Sequence, residues 1–162
     1  MASPFRALDS GDGEALWSAG SLMVVKATSE DTHGGLTVIE QECPPGLVSP
    51  SHQHDEEEQC LYMLAGSLTL TCGDAVRSMA PGAFVVLPRG VPHSFVVGAE
   101  GARFLSLTTP AGFEEFARAI GAPAEERVPP PDALASLQEA SERVAAGSSD
   151  ELKGRAATPQ DG

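Results

Sequence analysis

Cysteine is scarce in this chain of 162 residues: Cys43, Cys60 and Cys72 are the full set. An odd, sparse set without CxxC spacing or a Cys/His cluster argues against a disulfide framework and a thiolate zinc site, and for a reducing compartment. Basic residues are few as well. Ten Lys and Arg stand against 23 Asp and Glu, a formal net charge of −13. Such a surface repels phosphodiester backbones and anionic lipid, so neither nucleic acid nor membrane is expected as a partner. Small molecules or a second copy of the chain are. No apolar run has membrane-spanning length, and Met1 to Ser10 carries one arginine and no signal-type apolar core, so a cytoplasmic location is expected. There is no internal repeat.

What the chain does contain is a series of short β-type runs punctuated by Gly and Pro, the pattern of an all-β barrel. Strands are predicted at 21–27, 36–43, 59–64, 67–72, 83–87, 93–97 and 103–108. Ala65-Gly66 and Cys72-Gly73-Asp74 read as hairpin turns, and Pro81-Gly82 and Pro88-Arg89-Gly90 as sharp turns between strands. After Pro110 the period changes. Phe113, Phe116, Ala117 and Ile120 recur at helical spacing, and Gly121 with Pro123 ends that helix. A Pro-rich connector, Val128-Pro129-Pro130-Pro131, leads to a second predicted helix over 133–146, N-capped by Asp132. Its apolar stripe of Leu134, Leu137 and Val144 is thin, so it is expected to pack on the barrel exterior, with 147–162 as a polar, mobile tail. The chain thus divides into residues 1–121, barrel and first helix, and 122–162, connector, second helix and tail.

Three of the four histidines fall in two stretches, Gly46-Leu47-Val48-Ser49-Pro50-Ser51-His52-Gln53-His54 and Gly82-Ala83-Phe84-Val85-Val86-Leu87-Pro88-Arg89-Gly90-Val91-Pro92-His93. On a strand, side chains at i and i+2 share a face, so His52 and His54 can point into one cavity, and His93 from a neighbouring strand would complete a facial metal site. Three imidazoles and an oxygen suit one divalent transition ion, Fe, Mn, Co, Ni, Cu or Zn. Alternation puts Leu61 and Met63 on the same side as Gln59, and Phe95 on the same side as His93. With Phe104 these are the expected lining of a substrate pocket. His33 reads as a loop residue and Glu40 as a surface charge.

The two stretches resemble the paired motifs of the cupin superfamily. The first motif reads G, five residues, HxH, three or four residues, E, six residues, G, and Gly46, His52, His54 and Gly66 match it. Gln59 stands where the Glu is expected. The second reads G, five residues, PxG, two residues, H, three residues, N, which Gly82, Pro88, Gly90 and His93 match, with Val97 in place of Asn. Leu16-Trp17-Ser18-Ala19-Gly20, Thr28-Ser29-Glu30-Asp31-Thr32 and the exit from Thr108 to Phe116 are similar to single-domain cupins grouped with quercetin 2,3-dioxygenases. The resemblance covers roughly residues 8 to 120. It implies a single jelly-roll β-barrel with a metal ion held by His52, His54, His93 and the residue at position 59.

In such enzymes the carboxylate at that position also removes a proton from the substrate. A carboxamide can coordinate through its oxygen but is no base near neutral pH. A neutral ligand leaves the ion one unit more positive and a stronger Lewis acid. Glu58 would substitute if a one-residue bulge at the strand entry turned it inward. Gln59 and Glu58 are therefore both candidate catalytic residues. Three functions stay open: a metal-dependent dioxygenase of enolisable phenols, a redox-neutral cyclase or isomerase of polyketide-like or dicarbonyl substrates, and a non-catalytic ligand-binding protein. The resemblance also implies a homodimer formed through outer sheet faces, with Val24, Val38 and Leu70 as contributors to the patch.

Overall fold

The structure, a computed structural model, describes residues 5–124. The second predicted helix and the tail lie outside the described residues. Two short strands open the chain, β1 (Glu14–Ser18) and β2 (Ser21–Ala27), joined through Ala19 and Gly20, both at positive φ. A single helical turn follows, α1 (Ser29–Thr32), closed by reciprocal Thr28 and Asp31 capping bonds. Then come β3 (Thr37–Cys43), β4 (Val48–His52), β5 (Glu58–Cys72), β6 (Ala75–Met79), β7 (Phe84–Leu87) and β8 (His93–Thr109). Helix α2 (Phe113–Ile120) and the two-residue β9 (Ala122–Pro123) complete the described fold.

Strands β5 and β8 are the spine. They pair antiparallel from Glu58↔Thr109 to Cys72↔His93, and each serves two groups of neighbours. One half of β5 pairs with β7 and the other with β6, while β8 pairs with β3 through its second half and with β4 through its first. The sheet therefore folds across the middle of both strands. Register shifts flank Gly66, whose φ is 69°, and a Cβ built there would lie 2.0 Å from the Gly101 carbonyl oxygen. Two glycines back to back let the strands bend where any side chain would hold them apart. Ala65-Gly66 is thus a bend inside one long strand, and the hairpin expected there does not form; the runs at 59–64 and 67–72 are one element, as are those at 93–97 and 103–108. The hairpin at Cys72-Gly73-Asp74 does form, with Cys72 paired to Ala75.

Folding the sheet buries an apolar core in which Leu61, Met63, Leu68, Leu70, Met79 and Phe104 are nearly inaccessible. A second cluster, Leu16, Met23, Val25 and Ile39, closes on Ala117 of α2. Strand β2 is buried on both faces, since Leu22 and Val24 pack with Ala124 on the other side. Val24 and Leu70 are core residues and offer no outer patch for a partner: both faces of β2 are covered at Val24, and Leu70 sits on the inner face of β5 next to exposed Thr69. Among the described residues no helix is long and apolar enough to cross a membrane.

Candidate metal centre

Strand β4 runs Val48↔Val96 and Ser49↔Phe95 against β8, then shifts so that His52 lies opposite His93. The extra residue falls around Pro50, which has no N–H to give the ladder. His54 follows in the loop beyond the strand end, so strand alternation alone does not bring it in. The turn at Pro88-Arg89-Gly90 does: Gly90 N–H donates to the His54 carbonyl at 2.8 Å. The result is three imidazoles whose ligand atoms lie within 4.8 Å of one another. Ring centroids are 5.1 Å apart for His52 and His54, 4.5 Å for His52 and His93, and 5.4 Å for His54 and His93.

The backbone sets which nitrogen faces inward. Nδ1 of His52 is 2.9 Å from the Pro50 carbonyl and Nδ1 of His93 is 3.1 Å from that of Val91. A carbonyl only accepts, so each Nδ1 carries the proton and each Nε2 keeps its lone pair. For His54, Glu57 Oε2 stands 3.6 Å from Nδ1. Nε2 of both His54 and His93 is buried with no hydrogen-bond partner among the described residues. Buried nitrogens left with lone pairs and nothing to accept from are costly unless an ion takes them, so the donor set fits a divalent metal. Burial, and then the neighbouring His52, push the His93 pKa down to about 4 and that of His54 below its ordinary value. Both rings are thus neutral near pH 7, the form a metal binds.

The histidines open into a cavity of about 360 Å³. A larger, shallower cleft of about 640 Å³ lies elsewhere, between the N-terminal segment and β2 and β3. In it Arg6 pairs with Asp31 at 3.4 Å, and Glu40 with Arg103 at 2.7 Å and Lys26 at 3.8 Å, whereas the histidines belong to the smaller, apolar cavity. Gln59 lines that cavity, and its Nε2 donates to Ser106 Oγ at 2.7 Å. Glu58 does not. The register from Glu58↔Thr109 to Met63↔Phe104 has no shift, so the bulge that would turn Glu58 inward is absent; it is exposed, 3.7 Å from Arg89.

Of the expected pocket residues, Leu61, Phe95 and Phe104 line the cavity. Met63 is instead sealed in the core at 0% exposure: alternation gave its side of the strand but not its depth. His33 caps α1 as an exposed left-handed residue, and Glu40 is held in its surface ion pairs. Residues that sequence reasoning did not assign to the site also reach it. Glu57 is the carboxylate on the cavity wall, and Gln41 on β3 and Phe113 and Phe116 on α2 line it too. The run of four acids after His54 contained the signal for Glu57, without showing which of them turns inward.

Residues 39–108 match the family model described as Cupin domain. The fold is that of the cupins. The matched stretch runs from Ile39 in β3 to Thr108 in β8 and contains His52, His54, Gln59 and His93, whereas α2 lies beyond it. A quercetin 2,3-dioxygenase of Bacillus subtilis (strain 168) is 29% identical to this chain over 129 residues. The match takes in 78% of this chain but 38% of that enzyme, so the chain spans well under half of its relative's length. An RmlC-like cupin from Shewanella frigidimarina superposes with a TM-score of 0.60 at 17% identity, over 72% of this chain and 99% of that one. An oxalate decarboxylase variant of Bacillus subtilis gives 0.59 at 24% identity, over 68% of this chain and 30% of that one. At these identities the superpositions speak to the cupin fold and not to the reaction.

Proposed function

We propose that this cupin is a metal-dependent dioxygenase of small, enolisable phenolic substrates. The reading rests on one observation: three clustered imidazoles, two of them with buried Nε2 atoms that no hydrogen bond satisfies among the described residues, open into a cavity walled by Leu61, Leu87, Phe95, Phe104 and Phe113. The similarity to a quercetin 2,3-dioxygenase agrees with it. A divalent transition ion held by His52, His54 and His93, with the Gln59 amide oxygen beside them, supplies Lewis-acid polarisation of substrate oxygens and, if redox-active, a path for electrons.

The chain's own residues do the rest. Leu61, Phe95 and Phe104 exclude water and hold a flat ring by dispersion and edge contacts. Gln59, an amide pinned to Ser106, orients an oxygen but takes no proton. Glu57, the carboxylate among the described residues that line the cavity, would accept the substrate hydroxyl proton. Gln59 also favours a second reading, a redox-neutral cyclase or isomerase, because a neutral neighbour leaves more positive charge to stabilise an enolate.

An oxygen electrode separates these readings. Metal-loaded protein with quercetin is expected to consume oxygen, and Glu57→Gln to slow it by about 10²-fold or more. Conversion without oxygen uptake would establish the redox-neutral chemistry in its place, and retention of the flavonol without turnover a binding protein.

A further inference from the structure

Helix α2 lies outside the matched cupin segment, yet Phe113, Phe116 and Ile120 all line the cavity. The Phe113 ring stands edge-on to the His54 imidazole, centroids 5.9 Å apart at 85°, and leans on Phe116 at 5.5 Å. An aromatic side chain thus abuts a ring of the metal centre from an element that supplies no ligand. The next residue, Glu114, explains why it stays there. Glu114 is 1% exposed and has no cationic partner among the described residues, a costly arrangement unless donors surround its carboxyl. They do: Ser29 N–H donates at 2.6 Å and Gly112 N–H at 3.1 Å, and the Thr37 hydroxyl donates as well. Those donors belong to α1, the loop before α2, and β3. One buried carboxylate therefore ties the first turn of α2, and Phe113 with it, to the barrel wall.

We propose that Phe113 determines specificity in this cavity and that Glu114 is the positioning residue that holds it. Phe113 forms the wall beside His54 against which a planar aromatic ligand stacks while its oxygens reach the histidines; a small aliphatic diacid of oxalate's size leaves that wall uncovered. The inference deepens the phenolic reading above and rests on it. Phe95 and Phe104, in edge contact at 5.8 Å, give the cavity a second aromatic pair, so the preference is for flat ligands with more than one ring face to cover.

The test is binding of quercetin and of oxalate to the full chain loaded with Zn(II), an ion that leaves the flavonol unoxidised. The wild type is expected to bind quercetin far more tightly than oxalate. Phe113→Ala should weaken quercetin about tenfold, loss of an aromatic contact with its buried area, and change zinc stoichiometry and oxalate affinity less than twofold. Phe113→Trp should restore quercetin binding, and Glu114→Gln should move the quercetin-to-oxalate ratio in the same direction as Phe113→Ala. If Glu114→Gln does not fold, the Phe113 variants decide alone. A folded, zinc-loaded Phe113→Ala that binds quercetin as the wild type does overturns this inference while leaving the phenolic reading standing. A zinc-loaded wild type that binds no quercetin overturns the phenolic reading, and this inference with it.

Discussion

At Gly90 the backbone is left-handed, with φ 68°, and its N–H holds the His54 carbonyl. Next to it Val91 presents the carbonyl that fixes the His93 ring, so one turn orients two of the three imidazoles. A Cβ at Gly90 meets nothing within 4 Å, and Gly90→Ala carries only the dihedral cost of about 1–2 kcal/mol. Thermal unfolding of that variant is expected to show a Tm several degrees lower, and titration with Zn(II) a weaker site; unchanged affinity would detach the turn from the metal centre. Each of His52→Ala, His54→Ala and His93→Ala should lose bound metal while far-UV circular dichroism stays that of a β protein. Elemental analysis checks this, and full stoichiometry in all three would refute the ligand set. Gln59→Glu adds a charge beside the ion, and Ser106 can turn its hydroxyl to donate to the new carboxylate. Under the dioxygenase reading, oxygen uptake rises in this variant.

Helix α2 and its anchor act at the level of elements. Burial pushes the Glu114 pKa up, but the donors from Thr37, Ser29 and Gly112 outweigh it and hold the carboxyl below its ordinary value. A depressed carboxylate stabilises the fold above its unfolded pKa, and that contribution fades as pH falls through the folded value. Glu114→Gln is therefore expected to be less stable than the wild type at neutral pH, with the gap narrowing below about pH 4.3, where an unfolded glutamate protonates. Denaturant melts of both proteins across that range test it, and a gap independent of pH would assign the anchor a purely steric role. The same helix shows how far local pattern reaches. Phe113, Phe116, Ala117 and Ile120 specified both its span and its end at Gly121, because a 3.6-residue period and a stop signal are properties of neighbouring residues. That its exposed-looking aromatics close over the histidines is set by β1 and β3 beneath it, to which no local signal points.

For the whole molecule the decisive contact is Gly66 on Gly101. Gly66→Val puts side-chain atoms where the Gly101 carbonyl already lies, at a φ that a β-branched residue resists. The dihedral strain and the forced backbone shift together amount to on the order of 3 kcal/mol, a large share of the stability of such a domain. The expected result is loss of soluble, cooperatively unfolding protein; a variant with the wild-type melting temperature would show that the bend does not depend on this approach. A bound metal would act at the same scale, because His52, His54 and His93 come from two strands and a loop and converge only in the native chain. Saturation at 100 times the dissociation constant would add about 2.7 kcal/mol, so chelation should lower Tm in the wild type and leave the triple histidine variant unchanged.

The β-type runs, the Pro and Gly turns and the helical period after Pro110 indicated an all-β chain and its first C-terminal helix, and the HxH and PxGxxH spacings, through their resemblance to the cupin motifs, singled out the three histidines. These are local properties, carried by residues a few positions apart. Tertiary structure alone decided that Glu57 faces the cavity and Glu58 does not, that Leu61 lines it and Met63 is sealed behind the wall, that four predicted strands merge into two bent ones, and that Phe113 stands over His54. The reason is common to all four. Side-chain alternation fixes the face of a strand, but depth and neighbours depend on where a sheet folds and what packs across it, and those contacts join residues tens of positions apart.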